Sequence, residues 1–253
     1  MSESSENKSF WDHLEDLRGS LIRILVSVIV FSVLAFCFKD LLFKVVLAPK
    51  SSTFFMYRLL GGGDFSLNLI NTGLTEQFVI HMKTAFAFGV LLASPYIIKV
   101  LFDFIRPALY ENERKHSVSL VLTAYLMFLV GVAVNYLLVF PITVRFLGTY
   151  QVSEQVSNML TLQSYMDTLL MMSMIFGILF EIPVLSWLLA RFGLLKAEWM
   201  TRYRRHAIVA ILVVAAIITP TGDAFTLFIV SLPIWLLYEL SVLVVKRVNG
   251  LEG

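Results

Sequence analysis

Six stretches of this chain are too long and too apolar to fold against water. They run over roughly 21–38, 78–102, 118–142, 165–190, 206–219 and 224–245. Each reads as a helix crossing a hydrocarbon core of about 30 Å, which takes about 20 residues. Hydrophobic residues make up 58% of the 253 positions and charged ones 15%, against about 45–50% and about 25% in soluble domains. A lipid-facing barrel would need alternating segments of about 10 residues, and these runs do not alternate. The expected fold is an all-α polytopic membrane protein with six spans. Ahead of them lies a cytoplasmic amphipathic segment over 1–20, and behind them a cytoplasmic tail over 246–253. No internal repeat is visible.

Charge and residue chemistry remove several function classes. A net charge of +2, with the basic residues scattered, does not suit nucleic acid. Cys37 stands alone, so neither an internal disulfide nor a paired-cysteine metal site is available. The four histidines, His13, His81, His116 and His206, fall at or near span ends. There is no H-E-x-x-H and no G-x-S-x-G. No metal, cofactor or catalytic activity is expected. The start, "MSESSENKSFWDHLEDLRGS", is polar and acidic, unlike a cleavable leader. With the N-terminus inside, fourteen of the 20 Lys and Arg fall on the inner side and six on the outer. That bias puts both termini in the cytoplasm.

The last two spans are short. Only Ala207–Ile218 separates His206 from Thr219, and Asp223 and Glu239 bracket the core of span six. Such lengths fit a re-entrant hairpin or two spans that thin the bilayer. Two spans are the better reading, because Arg202–Arg205 and Lys246-Arg247 want the same side. Thin membrane beside a polar groove would suit the passage of something large and hydrophilic. Pro95, Pro141, Pro183 and Pro233 lie within or near the spans. Each removes a backbone donor and can bend its helix, and four bends could build a concave wall.

Acids carry the chemistry. "MMSMIFGILFEIPVLSWLLA", residues 171–190, holds one carboxylate, Glu181, with no Lys or Arg among the nine residues on either side of it. Insertion scales put an Asp at mid-bilayer at roughly 2.5–3.5 kcal/mol. A lone intramembrane acid faces the bundle interior or a cavity, where it can hold a polar side chain of a partner's span. Alternatively, Ser173, Gln163 or Tyr165 satisfies it. At the N-terminus, Ser9 and Asp12 form a capping pattern. Trp11, Leu14, Leu17 and Leu21 share one helix face, and Asp12, Glu15 and Asp16 another. In "FIRPALYENERKHS", Glu111 and Glu113 precede Arg114 and Lys115. Both acidic points could dock a basic partner, or be a solvated face and a local ion pair.

These motifs resemble, in order along nearly the whole chain, those of the TatC family, the core of the twin-arginine protein translocase. His13-Leu14-Glu15-Asp16-Leu17-Arg18 is similar to the family's H-L-x-E-L-R, with Asp16 in place of the usual Glu. Phe104-Ile105-Arg106-Pro107-Ala108-Leu109-Tyr110, followed by Glu113-Arg114, is similar to its first cytoplasmic loop. Phe180-Glu181-Ile182-Pro183 resembles its F-E-x-P. Thr219-Pro220, Asp223, Pro233 and Glu239 match the span five–six region, with one extra residue between Pro220 and Asp223. "NTGLTEQF" keeps Glu76 and Phe78.

The resemblance implies a receptor and scaffold in a bacterial inner membrane, not an enzyme. Such proteins bind the paired arginines of an export signal at the cytoplasmic face. They gather single-span TatA and TatB partners, as homo-oligomers within a receptor complex, and pass folded proteins outward on the proton-motive force. Asp16 and Glu113 are the expected arginine acceptors, with Glu15, Phe104 and Arg18 beside them, since guanidinium forks match carboxylates bidentately. Glu181 and Gln163 are the expected intramembrane polar contacts for a partner helix. Pro49, Pro95, Pro107, Pro183, Pro220 and Pro233 are expected structural or hinge positions, and Asp223 and Glu239 further candidates. A competing reading is a proton-coupled small-molecule transporter with Glu181 as the proton carrier.

Overall fold

The computed structural model describes residues 10–59, 67–105, 117–151, 153, 159–219 and 222–250. The described residues form an all-α polytopic membrane protein with one very short strand pair. They fall into two compact units, residues 1–37 with 85–125, and residues 38–84 with 126–253.

Helix α1 is Phe10–Cys37, 28 residues. From Phe10 on, the amphipathic segment expected ahead of span one therefore runs into it without a break, as a stretch with no proline should. A Cβ on Gly89 of α4 (Glu76–Ile105) would lie 2.7 Å from the Ser32 backbone of α1. Only glycine allows that approach within the first unit.

Between them come α2 (Lys39–Val46), a 3₁₀ turn (Ala48–Lys50), α3 (Phe55–Leu59) and strand β1 (Leu69–Ile70). Sequence reading treats this stretch as a loop, yet tyrosine hydroxyls fasten it to later helices. Tyr57 donates to Pro49 O at 2.8 Å and Pro141 O at 3.0 Å, Tyr136 to Val45 O at 2.7 Å, and Tyr165 to Val46 O at 3.0 Å. Pro49, expected as a structural or hinge position, is buried and held by that bond.

Helix α5 (Ser117–Val134) passes through a π turn (Asn135–Val139) into α6 (Phe140–Thr149). Strand β2 (Leu160–Thr161) pairs in parallel with β1, Leu69 opposite Leu160 and Ile70 opposite Thr161. Then come α7 (Leu162–Leu179), α8 (Ile182–Arg191), α9 (Ala197–Arg202), α10 (Arg204–Ile218) and α11 (Ala224–Asn249).

Five described segments are long and apolar enough to cross a membrane: Leu14–Cys37, Glu76–Phe104, Val118–Thr149, Leu162–Arg191 and Ala224–Asn249. Expected span five corresponds to α10, whose 15 residues reach only about 22 Å at 1.5 Å per residue.

The prolines act unequally. Helix geometry changes at Pro141, which follows the π turn, and at Pro183, which opens α8. Helices α4 and α11 continue through Pro95 and Pro233. Pro95 cannot donate to Leu91 O, and the Ser94 hydroxyl takes that carbonyl at 2.7 Å, which is how membrane helices tolerate proline. Pro107 and Pro220 lie outside the described residues, as does the Gly61–Gly63 stretch.

Candidate functional site: a carboxylate at a break in a span

The fourth span is two helices. Pro183 in the first turn of α8 has no N–H for Leu179 O, and the chain turns at Phe180 and Glu181. Phe180 N still bonds to Phe176 O at 3.0 Å and Glu181 N to Ile178 O at 3.1 Å, and Leu185 N picks up Glu181 O at 2.9 Å. The Glu181 side chain caps neither helix. It is half-buried, and its Oε1 is sealed off with no hydrogen-bond partner among the described residues.

None of the three groups that could have satisfied it is hydrogen-bonded to it. Ser173 Oγ accepts from Asn135 Nδ2 at 2.8 Å, and Tyr165 donates to Val46 O. Gln163 sits in the first turn of α7, about 25 Å of helix away at 1.5 Å per residue, where its backbone N–H donates to Glu76 Oε1 at 3.0 Å. The structure does not bring Gln163 and Glu181 together.

The wall behind Glu181 is close-packed. A Cβ on Gly131 of α5 would stand 2.5 Å from Phe176 O and 2.8 Å from Phe180 Cβ, and one on Gly177 would stand 2.6 Å from the Phe128 ring. Two glycines thus let α5 press onto α7 just before the break, with Phe128, Phe176 and Phe180 buried in the seam.

The signal-binding candidates lie at helix ends. Glu15, Asp16 and Arg18 are exposed on the opening turns of α1, and Phe104 is half-buried near the end of α4. Glu113 lies outside the described residues. Asp223 and Glu239 have local work. Asp223 Oδ1 accepts from Thr226 N at 2.8 Å, its other oxygen meets the Thr226 hydroxyl, and together they cap α11. Glu239 accepts from Arg204 at 2.7 Å, joining α11 to α10.

Sequence reading assigns no role to three groups. Glu76 Oε2 accepts from Thr72 N at 2.9 Å, Gly73 N at 2.8 Å and the Thr72 hydroxyl at 3.2 Å, while its Oε1 holds the start of α7. Lys83 of α4 and Asp167 of α7 form an ion pair at 2.7 Å. Asn135 is fully buried in the π turn with its Oδ1 unpartnered among the described residues. "NTGLTEQF" contains Glu76 and so held the one available hint. Among the described residues no three His, Cys, Asp or Glu are placed to hold a metal ion.

Fold and site define a polytopic helical membrane protein with a carboxylate at an interruption of its fourth span. The model of the family described as Sec-independent protein translocase protein (TatC) matches residues 12–233, and the chain belongs to that family. It is 35% identical over 238 residues to the TatC protein of Deinococcus radiodurans, covering 94% of this chain and 85% of that one. To the TatC protein of Desulforapulum autotrophicum it is 32% identical over 243 residues, covering 96% and 86%. The crystal structure of the twin-arginine translocase receptor TatC superposes with a TM-score of 0.80 at 30% identity, covering 94% of this chain and 99% of that one. A second crystal structure of that receptor, in DDM, gives 0.79 at 30% identity, covering 91% and 98%. The protein is an integral membrane component of the Sec-independent translocase and belongs to the Tat protein-transport pathway.

Proposed function

We propose that this chain is the receptor and scaffold of a twin-arginine translocase in a bacterial inner membrane, with both termini in the cytoplasm. Asp16 and Glu113 accept the paired guanidinium groups of an export signal, with Glu15, Arg18 and Phe104 alongside. Glu181 holds a polar side chain from a single-span TatA- or TatB-type partner, copies of the chain assemble within the receptor complex, and folded proteins leave on the proton-motive force.

The observation that carries the reading is Glu181 Oε1, sealed at a helix break and without a partner among the described residues. A buried acceptor without a hydrogen bond costs about 1–3 kcal/mol, and a donor from a second helix recovers it. The exposure of Glu15 and Asp16 supports the arginine assignment. Exposed ion pairs contribute about 0–1 kcal/mol each, so affinity also draws on the signal's apolar segment lying along the helices.

The test separates two surfaces. Crosslinking from positions 16 and 113 should capture a precursor with paired arginines and not its paired-lysine control. Reversing charge at Asp16 together with Glu113 should abolish that capture while membrane insertion persists. Glu181→Leu should weaken partner association far more than signal binding, and Glu181→Gln should retain most export. Loss of both associations together in Glu181→Leu refutes the division of labour. Near-complete inactivity of Glu181→Gln, with a small solute carried down a pH gradient by the wild type, favours the transporter reading.

A further inference from the structure

One end of the second unit gathers positive charge around an apolar platform. Helix α8 stops at Gly193, whose φ of +69° turns the chain back, a left-handed conformation that suits glycine at a helix end. Helix α9 then packs on the last turns of α11. Ala190, Ala197, Val245 and Val248 form a buried cluster flanked by Trp187, Leu195 and Met200. Tyr238 of α11 fixes α9 by donating to Met200 O at 2.7 Å.

Around this platform stand Lys196, Arg202, Arg205, Lys246 and Arg247, all exposed and with no acid partner among the described residues. Lys196 Nζ lies 5.9 Å from the centre of the Trp199 ring, and the Arg191 guanidinium lies 5.5 Å from that of Trp187. Residues 187–206 and 239–250 contain two acids, Glu198 and Glu239, and Arg204 already engages Glu239. Interleaved with the charges are three exposed apolar side chains, Leu194 at 64%, Trp199 at 51% and Tyr203 at 53%.

We propose that this end is a binding site for the phosphodiester headgroups of anionic phospholipids. Clustered Lys and Arg attract such headgroups, and basic pockets between the ends of spans hold them. Exposed Trp, Tyr and Leu among the charges match a surface whose upper layer is ionic and whose lower layer is acyl chain. A soluble acidic protein could answer the charges too, but α10 decides between them. It begins at Arg204, directly beside Arg202 and Arg205, and its 15 residues give about 22 Å, less than the hydrocarbon thickness of about 30 Å. A span this short draws the two headgroup layers together around it, and its first residues, Arg204 and Arg205, meet one of those layers. Headgroup binding and local thinning are then one event.

Native mass spectrometry of the purified full chain, equilibrated with equal amounts of phosphatidylglycerol and phosphatidylcholine, tests the site. Wild type should retain phosphatidylglycerol in preference by about tenfold, as several neighbouring basic groups acting together would give. Joint Lys196→Gln, Arg202→Gln, Arg205→Gln, Lys246→Gln and Arg247→Gln substitution should bring the ratio to near one. Exchanging Lys for Arg and Arg for Lys at the same five positions should preserve it. Equal retention of the two lipids by wild type overturns the proposal without reference to any variant. So does displacement of phosphatidylglycerol by millimolar inorganic phosphate, which would mark a free-anion site. Preference for a soluble polyglutamate peptide over anionic vesicles overturns it as well, in favour of an acidic protein partner.

Discussion

At Tyr57 one hydroxyl meets two buried carbonyls, Pro49 O and Pro141 O, which lie 92 residues apart in sequence. The side chain is fully buried, and burial drives its hydroxyl well above tyrosine's usual range. The group therefore stays protonated, and remains a donor, at any pH the protein meets. Tyr57→Phe keeps the ring in its place and leaves both carbonyls without this donor. A buried acceptor left without any donor costs about 1–3 kcal/mol, and Pro49 O, outside the α-helices, is the more exposed to that loss. Purified Tyr57→Phe should melt several degrees below wild type by differential scanning fluorimetry, and its 38–59 segment should be cleaved faster by protease. An unchanged melting curve would show that the segment is fastened by packing alone. Glu181 is the contrasting residue. Its oxygen, unpartnered among the described residues, stands where a span is interrupted, whereas the Asn135 oxygen that is likewise unpartnered there lies within a seam whose other half, Asn135 Nδ2 to Ser173, is made.

Packing of α5 on α7 depends on what an added methyl group would strike. At Gly131 it meets the carbonyl oxygen of Phe176 at 2.5 Å, which is backbone and cannot step aside. At Gly177 it meets the edge of the Phe128 ring at 2.6 Å, a side chain that can rotate. Overpacking costs about 1–3 kcal/mol. Gly131→Ala should fall at the upper end and Gly177→Ala at the lower, read as yield and melting temperature in detergent. The reverse order would place the rigid wall on the wrong helix. The elements themselves were partly legible. Long apolar runs identify the spans, since nothing else in solution accommodates 18 or more such residues. The π turn was not, because "VNYLLVFP" reads as ordinary apolar helix. Its register is set by Asn135 reaching Ser173 on another helix and by Pro141 just beyond. Nor were β1 and β2, two residues each and separated by some ninety positions, visible to any local pattern. The break at Glu181 was readable in retrospect from Pro183, yet Pro95 and Pro233 carry the same signal and break nothing.

For the molecule as a whole, the sequence marked acids whose setting is local and gave no role to two acids held by distant partners. Glu181 was legible because a charge in an apolar run has no local excuse, and Asp16 because its motif is local. Glu76 and Asp167 were not, because their partners, Gln163 and Lys83, lie more than eighty residues away in sequence. Those distant contacts also define two ends of the second unit. Glu76 ties the start of α4 to the start of α7, and the chain then runs through α7 and α8 to Ala190, which packs against Ala197 of α9. Leu74 and Glu198, both exposed, therefore belong to opposite ends of one continuous span. With the Lys and Arg bias placing the α9 end inside, the expected sides follow. In a Cys37→Ser background, Leu74→Cys should react with a membrane-impermeant maleimide in intact cells. Glu198→Cys should react only after the membrane is opened. Labelling of both in intact cells would mean that the span from Leu162 to Arg191 does not cross, and orientation, signal site and headgroup site would all have to be assigned afresh.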